Sequence, residues 1–132
     1  MDQRPSALLR PYLIAVATAG VCVLIDGAIA AARTPYFFAW LALAAMAVAT
    51  GSFRLNFAGT VADFAIDDTF FMAIAMLFGP GPATLAAAAC GFVLPVRRRR
   101  APRQIIFNTA SLALSMWTAS RAFFLIARVE PL

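Results

Sequence analysis

Five ionisable side chains stand inside apolar stretches of the chain: Asp26, Asp63, Asp67, Asp68 and Arg121. A charge surrounded by hydrocarbon is expensive, so it pairs, caps a helix or lines a polar site. Asp67 and Asp68 are adjacent and precede the apolar run Thr69 to Phe78. Aspartate is a favoured N-cap, and its charge suits the positive end of a helix dipole. One of the two is therefore expected to cap a helix starting near Thr69. Asn108, Ser111, Ser115 and Thr118 recur every three or four residues, one polar stripe on an otherwise apolar helix. Helical rise puts Ser111 near the height of the two aspartates, so Asp67, Asp68, Asn108, Ser111 and Ser115 make a candidate polar pocket. Asp26 and Arg121 fall at similar depths on the first and last helices and are expected to face the bundle and pair. Histidine is absent, which removes the commonest metal ligand and the usual general base. The two cysteines, Cys22 and Cys90, lie in apolar runs without a CxxC spacing and read as small buried hydrophobes.

Two reaction motifs come close and fail. An aspartate-rich prenyl-transfer motif needs a third carboxylate soon after Asp67-Asp68, where Thr69, Phe70 and Phe71 stand. Gly59, Asp63 and Asp67 are similar to the second half of the metal-holding signature of CDP-alcohol phosphatidyltransferases, and Asp26-Gly27 echoes its opening. Yet Ala30-Ala31 stands where that family has Ala-Arg, and the gap to Gly59 is too long. No Gly-rich loop followed by Lys offers a phosphate cradle. No catalytic residue, metal ligand or cofactor is expected.

The elements that must hold these residues are membrane helices. Of 132 residues 63% are hydrophobic and 13% charged, against roughly 45–50% and about 25% in soluble domains. A chain this short has too much surface to bury that excess, so lipid is its expected solvent. The expected fold is all-α, a single polytopic domain over residues 1–132 with about five transmembrane helices. The spans are expected near 12–32, 36–50, 61–78, 83–96 and 104–127. The first run continues past signal-peptide length. Tyr36, Phe37, Phe38 and Trp40 suggest an interfacial belt on the second. The third is the hardest to place: one helix runs from about Val61 through three carboxylates, or the segment breaks near Asp67-Asp68. The break is the expectation, and irregular backbone at depth is tolerated only where protein or a wet cavity covers it. Gly79-Pro80-Gly81-Pro82 separates the third helix from the fourth. Ala83, Ala87 and Gly91, four apart, let a neighbouring helix approach closely.

The net charge is +5, and all eleven basic residues are Arg. They cluster between apolar runs rather than on a polar face, which argues against nucleic acid and for a bilayer. Arg97, Arg98, Arg99, Arg100 and Arg103 form a dense loop. Placed in the cytoplasm, it brings Arg4, Arg10 and Arg54 to the same side, leaving Arg33 and Arg128 outside. The expected location is the cell membrane, with a cytoplasmic N-terminus and an external C-terminus. Arg97–Arg100 is also a candidate contact for anionic lipid head groups.

From Gly51 to Leu132 the chain resembles an N-terminal membrane module that precedes GGDEF and HD-GYP domains in bacterial cyclic di-GMP signalling proteins. Ile66-Asp67-Asp68-Thr69-Phe70-Phe71 is similar to its "ISVSDTF" segment, and Leu77-Phe78-Gly79-Pro80 to its "LLFGP" turn. Arg97–Arg100 with Ile106-Phe107-Asn108 and Ala113-Leu114-Ser115 is similar to its basic loop and "FN…ALS" helix. The first fifty residues match only in hydropathy. The resemblance implies a sensory or input role, not an enzyme, and carries over no particular ligand. Such a protein needs a cytoplasmic output domain, and five spans from a cytoplasmic N-terminus end outside. The expectation is a chain truncated before its output domain, with its polar stripe left as an exposed groove or covered by self-association. The alternative is a small-solute binding or transport subunit with a broken third helix at the solute site.

Overall fold

A computed structural model describes residues 9–51 and 66–131, the side chains of residues 66 and 67 excepted. The described residues form five α-helices and no strand: α1 (Leu9–Ala32), α2 (Phe37–Gly51), α3 (Ile66–Phe78), α4 (Pro80–Arg97) and α5 (Pro102–Ala127). Each helix is apolar on most of its circumference, so packing rather than an amphipathic stripe decides which residues turn inward.

Proline explains why three helices start earlier than their apolar runs. A first-turn N–H has no intrahelical partner, so a residue without one fits there. Pro11 lies in the first turn of α1, Pro80 and Pro82 in that of α4, and Pro102 opens α5. The Gly-Pro segment is thus largely helix rather than a separate linker. Gly79 alone makes the turn, at φ 90°, while its N–H bonds to the Ala75 carbonyl at 2.9 Å and closes α3.

Whether the third span is broken just ahead of Asp67-Asp68 depends on residues 52–65, which lie outside the described residues. The helix runs through both from Ile66, so they lie inside its first turn rather than ahead of a helix starting at Thr69. That position still places negative charge at the positive end of the dipole. Val61 and Asp63, on which the long-helix alternative rests, lie outside the described residues.

α4 holds the fold together. It packs against all four other helices, while α1 pairs with α5 and α2 with α3. Residues Gly81 through Ala88 are buried apart from half-buried Leu85, and Cys90 and Gly91 follow them inside. Small side chains make this possible. A Cβ on Gly81 would come 2.6 Å from the Ala30 Cβ, and one on Gly91 2.9 Å from the Thr109 Cα. Gly20 meets Ala110 on α5 as closely, at 2.6 Å. Small residues at a helix–helix interface permit such close backbone contact.

The α2–α3–α4 side forms the core, with Trp40, Ala44, Ala47, Phe71 and Ile74 packed on Ala83, Ala87 and Cys90. Trp40 was expected in an interfacial belt with Tyr36, Phe37 and Phe38. Those three are exposed, but Trp40 is buried, because positions 40, 44 and 47 share the face of α2 turned to α4. Cys22 also departs from expectation. It is exposed on α1, and only Cys90 is buried.

Candidate functional site

Contacts at the helix ends fix which residues share an end of the bundle. Tyr36 stacks near Phe78 at 6.3 Å, and a Cβ on Gly79 would touch Pro131. The end of α1, the start of α2, the α3–α4 turn and the end of α5 therefore lie together. At the opposite end Tyr12 meets Phe107, with ring centroids 6.2 Å apart. The start of α1, the end of α4 and the start of α5 gather there. Arg10, Arg97, Arg98, Arg99, Arg100 and Arg103 all belong to this second end, and Arg33 and Arg128 to the first.

Asp26 and Arg121 are brought together. The Arg121 Nη2 donates to Asp26 Oδ2 at 3.2 Å, and the Trp117 Nε1 donates to the same oxygen at 2.8 Å. The Arg121 guanidinium also lies 5.2 Å over the Trp117 ring, so the cation is held by a carboxylate and an aromatic face at once. Trp117 and Arg121 share a face of α5 because they are four residues apart. Each charged residue lies six positions before the end of its helix, about 9 Å by helical rise, so their depths match. They do not face the interior, however. Both side chains are half exposed, on the outer seam of α1 and α5. Gly27, next to Asp26, is the residue that turns inward, packing on Gly81 and Thr84.

The candidate polar pocket divides. An open cavity of about 670 Å³ lies between α4 and α5 at the arginine end. Cys90, Leu94 and Pro95 line it from α4, and Arg98 and Arg100 from the connecting turn. Gln104, Asn108 and Ser111 line it from α5, with Phe107 and Leu112 beside them. Asn108 and Ser111 are thus in a pocket, but Asp68 and Ser115 are not among its lining residues. Asp68 is exposed at the start of α3, and Ser115 and Thr118 are exposed farther along α5. The side chain of Asp67 lies outside the described residues. α3 barely touches α5, which is why the aspartates and the stripe do not converge as equal heights suggested.

The basic loop divides too. Arg97 closes α4, Arg98 follows as its C-cap and Arg99 takes the left-handed conformation at φ 50°. The turn is tied by Arg98 N–H to the Leu94 carbonyl at 3.1 Å and Arg100 N–H to that of Pro95 at 2.9 Å. Arg103 lines a separate, smaller cavity with Leu13, Ile14 and Ala17 of α1. The sequence reads the arginines as one group and does not show that Arg98 and Arg100 line the larger cavity while Arg103 lines the smaller one. The signal was there: Cys90, Leu94 and Arg98 are four apart, on one face of α4 that faces Gln104, Asn108 and Ser111.

Among the described residues no three Cys, Asp or Glu side chains gather in a way that could hold a metal ion. Gly59 and Asp63 of the phosphatidyltransferase-like spacing lie outside those residues. Compared with known protein families, with characterised proteins and with solved structures, the chain matches none.

Proposed function

We propose that the chain is a multi-pass helical module of the cell membrane, a sensory or input unit of a bacterial signalling protein, with its arginine-rich end in the cytoplasm. The observation that carries the membrane reading is the surface of the two longest helices. α1 and α5 are each long and apolar enough to cross a bilayer. Helices of that composition in a water-soluble protein are buried in its core. Here α1 buries only Gly20, Gly27 and Ala31, and it exposes Tyr12, Ile14, Val21, Ile25 and Ile29. On α5, Leu125 and Ile126 are about four-fifths exposed, at 77% and 83%. An apolar surface of that extent calls for lipid.

The shorter helices fit the same picture as inner parts of the bundle. α4, with 18 residues, is about 27 Å long, close to the hydrocarbon thickness of about 30 Å. It is shielded on its flanks by four neighbours. α2, with 15 residues, is about 22 Å long and calls for local thinning of the bilayer. Six arginines at one end against two at the other favours the richer end as cytoplasmic. The sensory role draws on the resemblance to modules preceding GGDEF and HD-GYP domains.

Two measurements test the two halves separately. Membrane placement predicts that the chain stays in the pellet after alkaline carbonate washing and leaves it only with detergent. Release by carbonate alone contradicts it. The signalling half predicts that removing the gene changes the cellular cyclic di-GMP level. An unchanged level under all growth conditions tested contradicts that half and leaves the first intact. The alternative of a small-solute binding or transport subunit draws on the α4–α5 cavity, and it predicts solute uptake by reconstituted vesicles.

A further inference from the structure

The α4–α5 cavity changes character along its length. At its mouth stand Arg98 and Arg100, both exposed, in the turn between the helices. Next come Gln104, Asn108 and Ser111 on α5, reaching seven residues inward, about 10 Å by helical rise. The facing wall is apolar: Leu94 is half buried and Cys90 fully so. No carboxylate is among the lining residues. The α5 N-terminus opens beside the same turn. Its N-cap is Ala101, which supplies no side-chain hydrogen bond, so the positive end of the helix dipole is not offset by a capping side chain.

Two guanidiniums at the rim, amide and hydroxyl groups below them, and an apolar wall beside those groups match one kind of molecule. We infer that this cavity binds an anionic phospholipid, its phosphate between Arg98 and Arg100 and the start of one acyl chain along Leu94 and Cys90. Arginine suits a phosphate because its planar fork donates two parallel hydrogen bonds. Gln104 and Asn108 are placed to bond the ester and glycerol oxygens. The inference rests on the membrane placement proposed above, which sets the arginine end at head-group level. A free phosphate satisfies the rim but not the apolar wall, and a general attraction of basic residues to anionic membranes uses every arginine at this end alike. Arg99 and Arg103 supply the contrast, since neither lines the cavity.

The test uses the full chain in nanodiscs of phosphatidylcholine doped with phosphatidylglycerol. Incorporation into the discs is checked first, so that failure of the membrane reading is seen separately. Lipid retained by the protein is then measured by native mass spectrometry in high salt, which shortens the Debye length to about 3 Å at 1 M and suppresses diffuse surface attraction. The wild-type chain is expected to retain phosphatidylglycerol over phosphatidylcholine. The R98Q/R100Q chain loses the charge-assisted hydrogen bonds to the phosphate and is expected to lose most of that preference, a fall on the order of tenfold or more. R99Q/R103Q removes the same charge outside the cavity and is expected to keep the preference. Ser111→Leu leaves every arginine in place, replaces a hydroxyl on the polar wall with a bulkier apolar side chain that narrows the cavity, and is expected to lower retention. Glycerol phosphate, which has no acyl chain, is expected not to displace the lipid. Equal losses in the two double variants, or displacement by glycerol phosphate, overturns the inference. So does full retention in Ser111→Leu.

Discussion

Asp26 and Arg121 stand 95 residues apart in the chain, and their side chains meet at 3.2 Å on the seam between the first and last helices. The pair ties together two helices whose apolar side chains are otherwise exposed along much of their length. It is also joined by Trp117, whose indole N–H reaches the same carboxylate oxygen.

In the bilayer placement proposed above, removing one partner leaves the other, half exposed, charged against lipid. Insertion scales put an isolated charge at roughly 2.5–3.5 kcal/mol at the membrane centre. Arg121→Leu alone is therefore expected to destabilise the fold by up to about that amount. Asp26→Leu together with Arg121→Leu is expected to recover most of the loss. Unfolding in SDS–detergent mixtures, followed by circular dichroism, reads both. Additive losses in the double variant contradict the pairing.

Close approach of α4 to α1 depends on Gly81. A Cβ there would stand 2.6 Å from the Ala30 Cβ and 3.0 Å from the Gly27 carbonyl oxygen. Neither neighbour is a flexible side-chain end, so the helices must separate. Gly81→Ala is expected to cost about 1–3 kcal/mol, the usual range for overpacking. Ala45→Val on the exposed face of α2 is expected to change stability by less than about 0.5 kcal/mol. The same unfolding measurement compares them, and a neutral Gly81→Ala contradicts the packing described.

Gly79 is required for a different reason. Its φ of 90° with ψ near −179° lies in a region essentially restricted to glycine, where another residue costs about 1–3 kcal/mol. Gly79→Ala is expected to lose about that much stability and to separate the α3–α4 turn from Pro131. The unfolding measurement used for Gly81→Ala reads the loss, and unaltered stability contradicts the role assigned to the turn.

Much of the helix plan is legible in the sequence, because apolar runs and Gly-Pro punctuation mark the helices directly. The placement of Asp26 near Arg121 is legible too, since two charges at equal depth in apolar helices have few other partners. Directions around a helix axis are less so. Helices apolar on every side carry no stripe to show which face turns inward. Trp40 was therefore assigned to the belt although it packs on α4, and Cys22 to the interior although it is exposed. The candidate pocket failed in part for the same reason. Equal height put Asp68 beside Ser111, but α4 stands among the other four helices and takes most of the contacts that α3 could have made with α5. Arg98 and Arg100 were visible only as members of a basic run. Their separation from Arg99 and Arg103 depends on a turn geometry that composition does not encode.

The central claim is a membrane module whose arginine-rich end faces the cytoplasm, and cysteine accessibility tests it most directly. With Cys22 and Cys90 both replaced by Ala, single cysteines are introduced as Arg33→Cys and Arg99→Cys, at opposite ends of the bundle. Intact cells are then treated with a membrane-impermeant maleimide. The account predicts labelling of the Arg33→Cys chain in intact cells and of the Arg99→Cys chain only after the membrane is opened. The reverse pattern contradicts the orientation, and labelling of both from outside contradicts the membrane-spanning fold itself.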